Sequence, residues 1–173
     1  MGTGYIDYAG YKECVNLQND DVQVVLGPHC GGRVLAYAWH GENALALDPR
    51  QDGWTYGAGT PPMGGPSGRR FDFGLDSHAG WFAYVMPNDM MFVKAYPTYP
   101  ERVYGEMTGL TISLWYMRDF VCELEPIGPR EILLPGASAS FTETWYLTPY
   151  AFPEVRAGVD PAHVAEVAKE LMI

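Results

Sequence analysis

Positive charge is scarce in this chain, with 11 Lys and Arg standing against 21 Asp and Glu for a formal net charge of -10. Binding to nucleic-acid phosphates or anionic lipid rests on an excess of cations, so neither nucleic acid nor membrane is an expected partner. Cysteine is also scarce. Cys14, Cys30 and Cys122 are far apart and form no CxxC pair, which excludes a disulfide framework or zinc ribbon and leaves reduced, mostly buried thiols. No apolar run approaches the length that spans a bilayer. The opening residues have neither a basic start nor an apolar stretch, so no export signal is expected and the chain reads as cytoplasmic by default.

Several chemical signatures are missing too. Gly-x-Ser-x-Gly does not occur, and neither Ser67 nor Ser138 sits in a nucleophile motif. The glycines of residues 57–65 lack the Lys that completes a phosphate cradle. His29, Cys30, His40, Asp76, His78, Glu123 and Glu125 are possible metal ligands for a β-barrel enzyme, but neither His-x-His nor His-Glu-x-x-His is present. No metal or cofactor is therefore expected.

What is abundant is glycine, proline and aromatic side chains: 20 Gly, 14 Pro, 12 Tyr, 7 Phe and 5 Trp among 173 residues. Many turns joined by short aromatic strands point to an all-β fold rather than a helical bundle. The length suits a single domain, residues 1–173. Alternation places strands at 14–26 around an Asn-Asp-Asp turn, and at 33–39, 44–47, 81–85, 90–95, 111–117, 120–125 and 138–147. Residues 48–80 are broken every few positions by Gly or Pro and read as a long functional loop carrying Trp54, Arg69, Arg70, Asp76 and His78. Asp160 before Pro161 is a helix start, and Val164, Val167, Ala168 and Leu171 give one amphipathic helix over 160–172.

Within the strand at 120–125, residues two apart point the same way at roughly 6.6 Å spacing. Phe120, Cys122 and Leu124 then face the core, while Val121, Glu123 and Glu125 face the other side, as a polar site or as a solvated surface. Glu143 shares a face with Phe141 and Trp145, where its charge needs a partner such as Arg33 or Arg118. Of the five Trp, Trp54 is the one placed for exposure and for stacking on a sugar ring.

An ordered set of short motifs resembles the galactose-mutarotase-like superfamily, in particular its uncharacterised aldose-epimerase-like branch. The motifs are Pro28-His-Cys-Gly-Gly-Arg-Val34, Gly41-Glu-Asn43, Gly68-Arg-Arg-Phe-Asp-Phe-Gly74, Ala79-Gly-Trp-Phe-Ala-Tyr-Val-Met-Pro-Asn88, Tyr99-Pro-Glu-Arg-Val-Tyr-Gly-Glu106, Glu123-Leu-Glu-Pro-Ile-Gly-Pro129, Leu134-Pro-Gly136 and Phe141-Thr-Glu-Thr-Trp145. The resemblance implies a twisted antiparallel β-sandwich, a shortened form of the mutarotase supersandwich, that binds a small saccharide or glycan end. In that family a Glu removes the proton of the anomeric hydroxyl while a His protonates the ring oxygen, so the pair needs environments that separate their pKa values. Carried over by position, Glu125 corresponds to the base, and Asp76, in Gly74-Leu-Asp76, to a residue that binds a sugar hydroxyl. Arg69 or Arg70 matches a sugar-binding Arg, Glu123 lines the cleft, and His78 is a candidate acid. Family members are longer, and the segment bearing their catalytic His has no counterpart between Phe71 and Ser77. Losing strands exposes sheet edges, so a homodimer paired edge to edge is expected. The alternatives are a non-catalytic carbohydrate-binding module and a structural or assembly protein.

Overall fold

Among the described residues, 2–47, 70–106, 109–117 and 121–173, a computed structural model has eleven strands and one α-helix in chain order. All sheets are antiparallel, so the all-β class with a C-terminal helix expected from the sequence is the class observed. The chain divides into two compact units, Met1–Pro66 and Ser67–Ile173.

The first unit is a five-stranded meander of β1 (Gly2–Tyr8), β2 (Tyr11–Gln18), β3 (Val22–Gly27), β4 (Arg33–Trp39) and β5 (Glu42–Asn43). Alternation in β1 to β4 turns Ile6, Tyr8, Cys14, Val25 and Ala36 to one side, where they close a core with Tyr11, Cys30 and Leu35. The β4–β5 turn is two residues long, and both His40 and Gly41 have positive φ, at 47° and 88°. This is the mirror-image turn whose twist matches a hairpin. The strand expected at 44–47 does not form: the ladder ends at Asn43, with one further backbone bond from the Ala44 N–H to the Tyr37 carbonyl at 3.0 Å. There the Asn43 side chain substitutes for a strand partner: its Oδ1 accepts from the Tyr37 and Leu45 N–H groups at 3.0 and 3.1 Å, and its Nδ2 donates to the Leu35 carbonyl at 3.2 Å. Strand β1 was not marked in the sequence, although Ile6 and Tyr8 alternate in it.

Burial pushes the Cys14 thiol up from its ordinary value of 9.0, with nearby Cys30 adding to the effect. A neutral thiol is thus favoured by the fold. The stabilisation it contributes is intact below pH 9, the unfolded value, and fades as pH rises beyond it. At pH 8, iodoacetamide should label Cys14 far more slowly in the folded protein than in urea, and thermal stability should fall above pH 9. Equal labelling rates read by mass spectrometry would contradict this packing.

The second unit holds two three-stranded sheets. One has the order β10–β9–β6, from Val121–Pro126, Ile112–Met117 and Arg70–Leu75. The other has the order β11–β8–β7, from Thr144–Pro149, Met90–Ala95 and Trp81–Met86. β6 lies inside the stretch expected to be loop, because Phe71, Phe73 and Leu75 alternate and six consecutive residues pair with β9 despite the surrounding glycines. Residues 48–69 of that stretch lie outside the described residues. β11 begins at Thr144 rather than 138, since Thr144 pairs with Ala95 and the next residue of β8's chain, Tyr96, gives its N–H to Gly80 O instead.

The helix α1 (Pro161–Leu171) is capped as expected, the Asp160 carboxylate accepting from the Ala162 N–H at 2.9 Å. Val164, Val167, Ala168 and Leu171 cover the face of β7, β8 and β11 that carries Ala83, Val85, Met91, Val93 and Tyr146. The opposite face of that sheet presents Phe82, Lys94 and Trp145 at one level of the register, and here the two sheets meet: Lys94 Nζ donates to the Leu124 carbonyl of β10 at 2.8 Å.

Candidate functional site

The residues of interest gather where β6 and β10 end and β9 begins. Thr111, 1% exposed, is the knot of this end. Its N–H donates to the Leu75 carbonyl at 3.0 Å and its carbonyl accepts from Ile127 N at 2.9 Å, which extends both ladders by one step. Its Oγ1 accepts from the Ser77 N–H at 2.7 Å and lies 2.8 Å from the Ser77 carbonyl and 3.2 Å from that of Leu75, either of which can take its proton. One buried side chain therefore fixes the path of residues 75–77.

That path brings two of the expected site residues together. His78 Nε2 lies 3.5 Å from Asp76 Oδ1, with side-chain exposures of 39% and 71%. The His78 ring meets Tyr104 edge-on, centroids 6.2 Å apart. Tyr104 is held in turn by its hydroxyl, which accepts from the Tyr99 N–H at 3.1 Å.

Near Tyr104 lies Tyr96, its ring centroid 5.9 Å from that of Phe82 and 6.2 Å from that of Phe141. Tyr96 is buried, and its hydroxyl has no hydrogen-bond partner among the described residues. Burial, with Tyr104 and Glu143 nearby, pushes its pKa up to about 12, so it is a neutral phenol across the working range of pH. An unpaired buried hydroxyl costs on the order of 1–3 kcal/mol, a cost that a bound water or ligand hydroxyl removes.

Glu143 carries the charge that the sequence required to be paired. Its partner is Lys94, Nζ to Oε2 3.1 Å, in place of the expected arginine, and the same oxygen accepts from Trp145 Nε1 at 2.7 Å. Arg118 lies outside the described residues. Lys94 is only 11% exposed, and besides Glu143 and Leu124 O it sits 4.8 Å from the centroid of the Trp145 ring. An ammonium with two oxygen acceptors and an aromatic face is well compensated for leaving water.

Glu123 and Glu125 do share one face of β10, opposite Trp115 and Ser113 of β9. Glu125 is exposed and Glu123 half-buried. On the other face Cys122 and Leu124 are half-buried rather than core. Glu125 stands two strand spacings from β6, roughly 10 Å. Among the described residues no hydrogen bond or ion pair joins it to Asp76 or His78. By register Arg70 opens β6 opposite Met117. Arg69 and Trp54 lie outside the described residues.

Sequence reading passed over Lys94, Tyr96, Tyr104 and Thr111. For Lys94 a signal existed, since a lone charge in Met-Met-Phe-Val-Lys-Ala demands a partner. For Thr111 none did. Among the described residues no three His, Cys, Asp or Glu side chains gather as a metal site, and no helix is long and apolar enough to cross a membrane. No protein-family model, curated protein sequence or solved structure matches the chain.

Proposed function

We propose that this protein binds a small saccharide at the end of the β10–β9–β6 sheet, with Asp76 and His78 as the polar edge and Tyr104 as the aromatic platform. The observation that carries the reading is the half-exposed Asp76–His78 pair set against the Tyr104 ring. A pyranose presents an apolar C–H face and a rim of hydroxyls, and an aromatic ring beside a carboxylate and an imidazole answers both at once. Thr111 supports this by fixing the chain that carries the pair. The chain's net charge of -10 favours a neutral sugar over a phosphorylated or acidic one.

Recognition is favoured over epimerisation. Exchange of anomers needs a base and an acid on one sugar ring, within hydrogen-bond reach of their protons, and Glu125 is exposed with no link to His78. The test is calorimetric titration with a panel of neutral mono- and disaccharides, using wild type, Asp76→Asn and His78→Ala. At least one sugar should bind with a Kd of about 0.1–1 mM, and either substitution should weaken it by roughly tenfold, about 1.4 kcal/mol. Glu125→Gln should leave binding unchanged. If no sugar binds, or if Glu125→Gln alone abolishes binding, the reading is wrong.

A further inference from the structure

The connection between β10 and β11, residues 127–143, contains no strand or helix, and every residue from 130 to 140 is exposed. Three consecutive apolar side chains lie in it: Ile132 at 82%, Leu133 at 55% and Leu134 at 73% exposure. Beside them runs Val103, 69% exposed, on a stretch tied to this connection by the Arg130 N–H to Val103 O bond at 2.7 Å and the Arg102–Glu131 ion pair at 3.0 Å. The patch is thus held in place by hydrogen bonds while leaving four large apolar groups in water. Scattered apolar residues are ordinary on a surface, but three consecutive ones on a segment tied down in this way mark an interaction site.

We infer that this patch is a self-association surface, on which a second copy of the chain packs its own residues 130–134 about a twofold axis. Two observations select a second copy. The first is charge: on a chain of net charge -10, the patch is bordered by Arg102 and Arg130 and by Glu101 and Glu131, a balanced set. A twofold axis that sets Arg130 of one copy against Glu101 of the other lets two copies meet here without the repulsion that the rest of the surface imposes. The second is area. Four side chains so exposed present on the order of 500 Å² per copy, and pairing hides about 1,000 Å², the lower bound for a specific interface. An anionic bilayer is the poorer occupant, since the patch lacks excess cation and the chain is acid-rich.

This places association on the connecting loop rather than on the β10 edge, where Lys94 already occupies the Leu124 carbonyl. Lysine at an edge blocks the pairing of a further strand.

The experiment is sedimentation equilibrium of wild type and of Ile132→Ser/Leu134→Ser, a variant in exposed positions that leaves the core intact. Wild type should show the mass of two chains, with a Kd of about 1–10 µM, and the double variant should weaken association at least 30-fold, with unchanged circular dichroism. Arg130→Glu, which makes the border acidic, should weaken it as well. A wild type monomeric at ten times that concentration overturns the proposal, as does a dimer that survives the double substitution. Flotation with neutral phosphatidylcholine vesicles distinguishes the other occupant: a monomer that floats through Ile132 and Leu134 assigns the patch to lipid and overturns self-association. The substituted residues 130, 132 and 134 are not those proposed to hold the sugar, so sugar titration of the same variants reads that proposal separately, although Val103 of the patch adjoins Tyr104.

Discussion

Lys94→Met should lower the stability of the second unit by about 3 kcal/mol. The charge it removes answers Glu143, which is only 24% exposed on its side chain, and it also leaves the Leu124 carbonyl without its donor. Methionine preserves the apolar stem and its packing, so the loss reads the electrostatics alone. Breaking one half of a desolvated pair strands the other half, but Glu143→Gln should cost less, about 1–2 kcal/mol, since the amide oxygen still accepts from Trp145 Nε1 and Lys94 keeps the Leu124 carbonyl. The double variant Lys94→Met/Glu143→Gln should recover part of the Lys94→Met loss. Urea unfolding of the four proteins completes a double-mutant cycle. A Lys94→Met midpoint equal to wild type would mean that Lys94 does not hold the two sheets together.

Thr111→Val should cost about 2 kcal/mol and, in addition, weaken saccharide binding by roughly tenfold. Valine matches the shape of threonine, so the buried space stays filled and its N–H still holds the Leu75 carbonyl, while the Ser77 N–H loses its acceptor and Ser77 its tie. Asp76 and His78 are carried by that segment but do not touch Thr111 themselves. Thr111 is therefore a positioning residue, and a split outcome is informative: Thr111→Ser, which keeps the hydroxyl, should restore binding even where it does not fully restore stability. If Thr111→Val loses stability but binds sugar as tightly as wild type, the pair is not held by this route.

Much of the architecture was legible in the chain because strands announce themselves by period. β4 and β8 fall at their expected bounds, and the α1 start follows from Asp160 and Pro161. What escaped did so for physical reasons. β6 was hidden because Gly and Pro density argues against regular structure, whereas six consecutive pairings with β9 outweigh the single glycine within the strand. The same local rule placed a strand at 44–47, which the Asn43 side chain pre-empts by occupying the β4 backbone groups that a strand would use. At the site, Asp76 and His78 were found together because they are two apart on a short path. The Lys94–Glu143 pair joins residues 49 positions apart through sheet register, and only the need for some partner to Glu143 could be read beforehand. The distance between Glu125 and the Asp76–His78 pair depends on β9 lying between their strands, an ordering that no local pattern carries.

The most direct test of the account is nitrogen-15 chemical-shift mapping of the protein with the tightest-binding neutral sugar. The largest shifts should fall on residues 76–78 and on Tyr104, with the Glu125 amide little changed. Shifts centred on Glu125 and Glu123 instead would contradict the site described here.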